Sequence, residues 1–154
     1  MPDRAPIIAP PPLLGLLCIA LGFVARHFAP LTLFPGTGFI QLLIGSALVV
    51  AGVSIILLAR QAFISHGTHP NPYRPTAALV TTGLYRLSRN PIYVAFLLIV
   101  LAFVFFENSA WFFASAVALW CLLRFGVVNR EERYLGDKFG EVYHDYCERV
   151  RRWI

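Results

Sequence analysis

Two short runs bring together residue types whose spacing suits chemistry. The first is Gly83-Leu84-Tyr85-Arg86-Leu87-Ser88-Arg89-Asn90-Pro91-Ile92-Tyr93. Asn90 is a natural N-cap and Pro91 fits the first helical position, so a helix is expected to start here. Arg89 and Tyr93 suit a membrane interface, where an apolar stem and a polar tip each find a medium. A helix opening at such a surface presents free N–H groups and the positive end of its dipole to an anion, for example an amino-acid carboxylate. The second run is Arg130-Glu131-Glu132-Arg133. By itself it reads as a solvated face of mixed charge. Its position argues for more, because it comes directly after an apolar segment, where a carboxylate is costly without a partner.

Other chemistries find little support. His66 and His69 are three apart in a Pro-rich loop without a clear third ligand, while His27 and His144 lie elsewhere; no metal site is expected. Cys18 and Cys121 read as small apolar fillers, Cys147 stands alone, and three scattered cysteines make no disulfide framework. Neither a GxGxxG turn nor a P-loop nor a GxSxG elbow occurs. A net charge of +5 raises nucleic acid as a partner, but no recognition motif accompanies it, and the placement of the charges relative to a bilayer explains them better.

The elements that must position these runs are strongly apolar. Of 154 residues, 58% are hydrophobic and 14% charged, against roughly 25% charged in a soluble domain. A single all-α, membrane-embedded domain over residues 1–154 is expected, with the lipid bilayer as its first partner. Four apolar stretches lie near 10–28, 39–59, 91–106 and 110–128. Pro10, Pro11 and Pro12 precede the core of the first, no small-x-small cleavage site comes after it, and further spans do; it reads as a retained helix rather than a signal peptide. The second holds 21 uncharged residues, close to the ~20 that cross the hydrocarbon core. Glu107-Asn108-Ser109 separates the last two and reads as the tip of a helical hairpin.

With four spans, 12 of the 13 basic residues fall on one side: Arg4, Arg60, Arg74, Arg86, Arg89, Arg124, Arg130, Arg133, Lys138, Arg149, Arg151 and Arg152. Only Arg26 lies opposite. This bias predicts cytoplasmic termini and residence in the inner or plasma membrane if the source is prokaryotic. The polar residues concentrate in Gln61–Asn90 and Asn129–Ile154, where His66–Pro75 reads as irregular loop. The tail predicts an amphipathic cytosolic helix over 130–147, with Leu135, Phe139, Val142, Tyr143 and Tyr146 on one face and Gly140 as a bend. Gly45 and Gly52 share one face of the second helix, which suits close packing within or between chains. The oligomeric state stays open.

Taken together, the two runs resemble the isoprenylcysteine carboxyl methyltransferase and phospholipid methyltransferase family of integral membrane enzymes. That family carries Arg-His-Pro-x-Tyr ahead of a membrane hairpin; here it reads Arg89-Asn90-Pro91-Ile92-Tyr93. After the hairpin the family has Glu-Glu-x-x-Leu, then Phe-Gly-x-x-Tyr-x-x-Tyr and a basic end. Here these read Glu131-Glu132-Arg133-Tyr134-Leu135 and Phe139-Gly140-Glu141-Val142-Tyr143-His144-Asp145-Tyr146. The stretch from Gly67-Thr68 through Arg74-Pro75-Thr76 to Thr82-Gly83-Leu84-Tyr85 is similar to prokaryotic members. Two departures are Asn90 where many members have His, which removes a titratable group, and Ala95 where Gly often comes after the Tyr.

The resemblance implies methyl transfer from S-adenosylmethionine, with S-adenosylhomocysteine as product, at the cytosolic face between the last hairpin and the tail helix. It implies Leu84, Tyr85, Arg89, Asn90, Pro91, Tyr93, Glu131 and Glu132 as donor-binding residues. Glu131 would stand nearest the chemistry, and Arg124 would pair with an anionic acceptor. A carboxylate and aromatic faces suit the donor's cationic groups, and a lipophilic or lipid acceptor would approach from within the bilayer. Whether a carboxylate, an amine or a thiol accepts the methyl group is not readable. A nicotinamide-dependent reductase similar to sterol reductases, using NADPH, and a non-catalytic membrane subunit are the competing readings.

Overall fold

The computed structural model describes residues 5–36, 38–67 and 78–154. Residues 68–75 of the expected loop, with His69 and Arg74, lie outside the described residues, as does Arg4. The described residues form helices and connecting turns without strands: α1 (Pro11–Phe28), α2 (Phe39–Ser65), a 3-10 turn (Gly83–Arg86), α3 (Pro91–Phe106), α4 (Trp111–Cys121), a π-helical stretch (Leu122–Val128), α5 (Asn129–Phe139) and α6 (Glu141–Arg149). Three helical runs are long and apolar enough to cross a membrane: Pro11–Phe28, Phe39–Ser65 and Trp111–Phe139; α3 is a shorter apolar helix.

The local chemistry explains where these helices begin. Proline occupies the first turn of α1 and of α3, where its missing N–H costs nothing. The Gln41 side chain closes the start of α2, accepting from the Gly38 N–H at 2.7 Å and donating to the Gly36 carbonyl at 3.0 Å. That helix runs six residues past the expected end at 59, because Ala62 and Phe63 continue the packing begun by buried Ala59 against Val80 and Tyr85.

The expected hairpin tip is present and tied to the α1–α2 connection. Arg26 donates to Glu107 at 2.6 Å. Asn108 accepts from the Phe34 N–H and donates to the Phe34 carbonyl, each at 2.9 Å, and the Trp111 indole donates to the Ala29 carbonyl at 2.6 Å.

Beyond the tip, the structure differs from the expected separate tail helix over 130–147. Trp111–Phe139 is one continuous helical run, in which the apolar part ends at Val128 and charged α5 emerges from it. Gly140, at φ +54, then breaks the chain, a backbone conformation that glycine adopts without steric cost. The break re-aims α6. Tyr143 and Tyr146 are buried, with Leu135 and Phe139 packed against their cluster, whereas Val142 is 65% exposed and leaves the face on which an unbroken helix would have put it.

Packing between helices depends on close approach. α2 lies against α3, and α4 contacts both α1 and α3. Gly45 and Gly52 are used within the chain. A Cβ at Gly45 would stand 2.5 Å from the Phe106 ring, and one at Gly52 would stand 2.8 Å from Ile99 and 3.0 Å from the Ala95 carbonyl oxygen. Ala95 itself is fully buried. Gly52→Val is therefore expected to cost about 1–3 kcal/mol, the usual penalty of overpacking, and to lower the thermal midpoint of detergent-solubilised protein. Gly15→Ala is the matched control: its Cβ meets nothing within 4 Å, and the midpoint should hold or rise.

Candidate functional site

Three segments distant in sequence converge at one end of the bundle: residues 85–93, α5, and the chain from α6 to the C-terminus. The first is anchored by Tyr85, which is buried with its ring edge-on to Phe63 at 5.4 Å and whose carbonyl accepts from the Tyr146 hydroxyl at 2.7 Å. Residues after α6 run back along the start of α3. The Arg89 N–H donates to the Arg151 carbonyl at 3.0 Å, and the Asn90 side-chain amide donates to the Arg152 carbonyl at 2.9 Å. Asn90 thus makes no side-chain cap on α3, contrary to the capping expectation, because its amide is engaged with the tail. Its own N–H donates to Ser88 Oγ at 3.1 Å.

This pairing delivers Arg152 to Glu132. The guanidinium donates from Nε to Oε1 at 2.8 Å and from Nη2 to Oε2 at 2.5 Å, a bidentate, charge-assisted contact. Arg89 reaches the same carboxylate at 3.2 Å and also donates to Cys147 Sγ at 2.6 Å. Arg89 Nε is buried and has no hydrogen-bond partner; such an orphaned donor costs free energy unless a ligand or water satisfies it.

Glu131, one residue earlier on α5, takes a different partner. The Tyr93 hydroxyl sits 2.8 Å from both of its carboxylate oxygens. Burial raises the Glu131 carboxyl to about 7, with the Tyr93 hydrogen bond opposing the rise and the charge on Glu132 adding to it. Burial also raises the Tyr85, Tyr143 and Tyr146 phenols, which therefore stay protonated donors at neutral pH.

These groups surround a cavity of about 540 Å³. Its polar wall includes Tyr85, Arg89, Asn90, Glu131 and Glu132, and its apolar wall includes Ile56, Phe63, Ile92 and Phe96. Ala5 and Pro10–Pro12 close a further side, held there by bonds from the Ile8 N–H to the Gly126 carbonyl at 3.2 Å and from Arg130 to the Pro6 carbonyl at 2.8 Å. The arrangement puts a titratable carboxylate and a guanidinium beside an apolar chamber, so it can hold a zwitterionic molecule beside a lipophilic one.

Comparison with known proteins gives this geometry a family. A model described as "Phospholipid methyltransferase" matches residues 40–142, 103 of the 154 residues. The chain belongs to the phospholipid methyltransferase family. It is accordingly a membrane methyltransferase by family, and the match spans α2 through the start of α6, including both motif runs. An "Uncharacterized protein" of Haemophilus influenzae is 32% identical over 63 residues, covering 41% of this chain and all of that relative. No solved structure gives a significant match.

Of the residues singled out from the sequence of this phospholipid methyltransferase family member, Tyr85, Arg89, Asn90, Tyr93, Glu131 and Glu132 share the cavity wall. Leu84, Pro91 and Arg124 are not among its described lining residues. Leu84 packs against Ala59, Val80 and Tyr85, Pro91 is buried at the start of α3, and Arg124 donates to Asn129 with its guanidinium 5.9 Å from the Phe125 ring. Sequence reasoning missed Arg152, Tyr143 and Tyr146 as parts of the site. The basic end of the chain was the available signal for Arg152, but one Arg among Arg149, Arg151 and Arg152 cannot be chosen without the backbone pairing to residues 89–90.

Glu132→Ala leaves two guanidiniums without their carboxylate, and one of them, Arg89, is only 14% exposed. A loss of about 3 kcal/mol or more is expected, as for other broken buried pairs, measurable as a lowered unfolding midpoint. Arg152→Ala should cost less, since its side chain is 30% exposed.

Proposed function

We propose that this chain transfers the methyl group of S-adenosylmethionine to a lipophilic or membrane-associated acceptor at the cytosolic face of the membrane, with both termini on that side. The observation that carries the reading is the presence, on the wall of one cavity, of the Arg89 guanidinium and of the Glu131 carboxylate held by the Tyr93 hydroxyl. The donor's methionine end combines a carboxylate with an ammonium and a sulfonium, and these residues complement both signs. When bound, the donor supplies an electrophilic methyl carbon and a neutral thioether leaving group.

The roles of this chain's residues derive from their contacts. Arg89, held by Glu132 and lining the cavity, faces the carboxylate end. Glu131, increasingly ionised as pH rises past about 7, faces the cationic end, and the Tyr93 hydroxyl fixes its orientation. Asn90 acts through the backbone: it clips the tail segment that carries Arg152, so it positions rather than reacts. An amide performs that task without titrating, so the clip needs no histidine. The apolar wall excludes water and aligns the acceptor, the contribution that a direct displacement most needs.

Calorimetric titration of detergent-purified protein tests this. Wild type should bind S-adenosylmethionine and S-adenosylhomocysteine; Glu131→Gln should weaken S-adenosylmethionine binding about tenfold or more, the scale of a lost charge-assisted contact, without a lowered thermal midpoint. Asn90→Ala should weaken both ligands together. No binding by folded wild type would refute the donor, and NADPH would be titrated next. The Glu131 carboxyl, raised to about 7, also sets a pH signature. A cation prefers the ionised form, so S-adenosylmethionine affinity should rise from pH 6 towards 8 in wild type and stay flat across that range in Glu131→Gln.

A further inference from the structure

Most of the cavity wall comes from helices α2, α3, α5 and α6. One side is built differently. Residues 5–10 run up to the start of α1 without regular secondary structure, and Ala5 and Pro10 line the cavity. The family match begins at residue 40, so this side lies outside it. Pro6, Pro10, Pro11 and Pro12 fall in or beside the segment, and proline fixes φ and removes the backbone donor. The segment is therefore stiff and has few groups with which to tie itself down. Among the described residues, two hydrogen bonds hold it to the rest of the protein: Ile8 N–H to the Gly126 carbonyl, and Arg130 to the Pro6 carbonyl. Ala5 is buried and Ile7 and Ala9 pack against the core, whereas Pro6 and Ile8 are exposed, the alternation of an extended chain laid on a surface. The Ile8 side chain crosses Gly126 where any Cβ would collide with it. Gly126 is thus a notch in the π-helical stretch, and Arg130, a clasp, stands beside Glu131 on α5.

We propose that residues 5–10 are a lid on the cavity, closed by seating Ile8 in the Gly126 notch and by the Arg130 clasp, and opened as one stiff unit to let the cavity's ligand pass. A site that aligns a direct displacement has to admit a polar ligand and then keep water out. A strap with two tethers can do both, because it releases without unpacking a helix. The ligand that passes is taken from the methyl-donor reading above; the seating of the strap does not depend on it.

The test follows S-adenosylhomocysteine entering and leaving the immobilised full chain in maltoside detergent by surface plasmon resonance. Gly126→Ala pushes Ile8 out of the notch and Arg130→Ala removes the clasp; neither residue is among the described lining residues of the cavity. Each should raise the association and dissociation rate constants together by about threefold or more, the scale of one net hydrogen bond, with Kd moving less than either. Adding Ile8→Ala to Gly126→Ala should return both rates toward wild type, because the notch then has room again. Unchanged rates in both single variants overturn the lid. So does a rise in dissociation alone, which marks a passive wall, and so do rates that stay fast in the double variant, which put the defect in the last span. Hydrogen exchange of the ligand-free protein keeps the two readings apart. Ile7, Ile8 and Ala9 carry amides where the neighbouring prolines have none, and both single variants should speed their exchange while α1 keeps its own rate. Unchanged exchange at these amides overturns the lid. If S-adenosylhomocysteine fails to bind folded wild type, the donor reading falls and the exchange result alone decides the lid.

Discussion

The Glu132 carboxylate joins three parts of the chain through one side chain. It belongs to α5, it accepts from Arg89 just ahead of α3, and it accepts from Arg152 beyond α6. With side chains largely withdrawn from water, such a network is costly to assemble and more costly to break, since removing any member strands the others. Its consequence is geometric. Once Arg152 is fixed, its carbonyl receives Asn90 and the tail is laid along the start of α3. Tyr93, one turn further on, then meets Glu131. The ion cluster thus fixes the polar wall of the cavity, and the residues assigned to the donor inherit their positions from it.

The opposite end of the bundle is closed by a separate polar cluster. Arg26 and Glu107 satisfy each other and Asn108 satisfies the backbone of the α1–α2 connection, so groups that would be expensive in hydrocarbon are paired where the hairpin turns. Between the two ends the packing depends on small residues. Gly45 and Gly52 let α2 approach α3 to a distance at which any Cβ would collide, and this closeness keeps Ile56, Arg60 and Phe63 on the same cavity as Ile92 and Tyr93.

The π-helical stretch Leu122–Val128 links packing to the site. A wider turn shifts the register of the residues after it and loosens the carbonyl ladder. Here the Gly126 carbonyl accepts from the Ile8 N–H, and a Cβ at Gly126 would collide with the Ile8 side chain. The N-terminal segment is thereby seated on the last span, which brings Ala5 and Pro10–Pro12 to the cavity. The same stretch carries Arg124 to Asn129 rather than to the cavity wall.

Much of this was legible in the sequence. Apolar run lengths located the membrane helices, because an uninterrupted run of that length has no other way to satisfy its backbone away from water. Glu107-Asn108-Ser109 marked the hairpin tip for the complementary reason, and two polar motifs in order pointed to the family and to Arg89, Asn90, Tyr93, Glu131 and Glu132. Partnership was not legible. Whether Glu131 meets Tyr93 and Glu132 meets Arg152, which of three terminal arginines enters the site, and whether Asn90 caps a helix or clips the tail all depend on contacts across 20 to 62 residues of chain, and which arginine reaches the cavity, Arg60 or Arg124, depends on how the helices pack. Periodicity and composition act over one or two helical turns, so they specify which face a residue occupies. Only the packed helices, with α2 drawn onto α3 by its glycines and the tail folded back by Glu132, decide what that face meets.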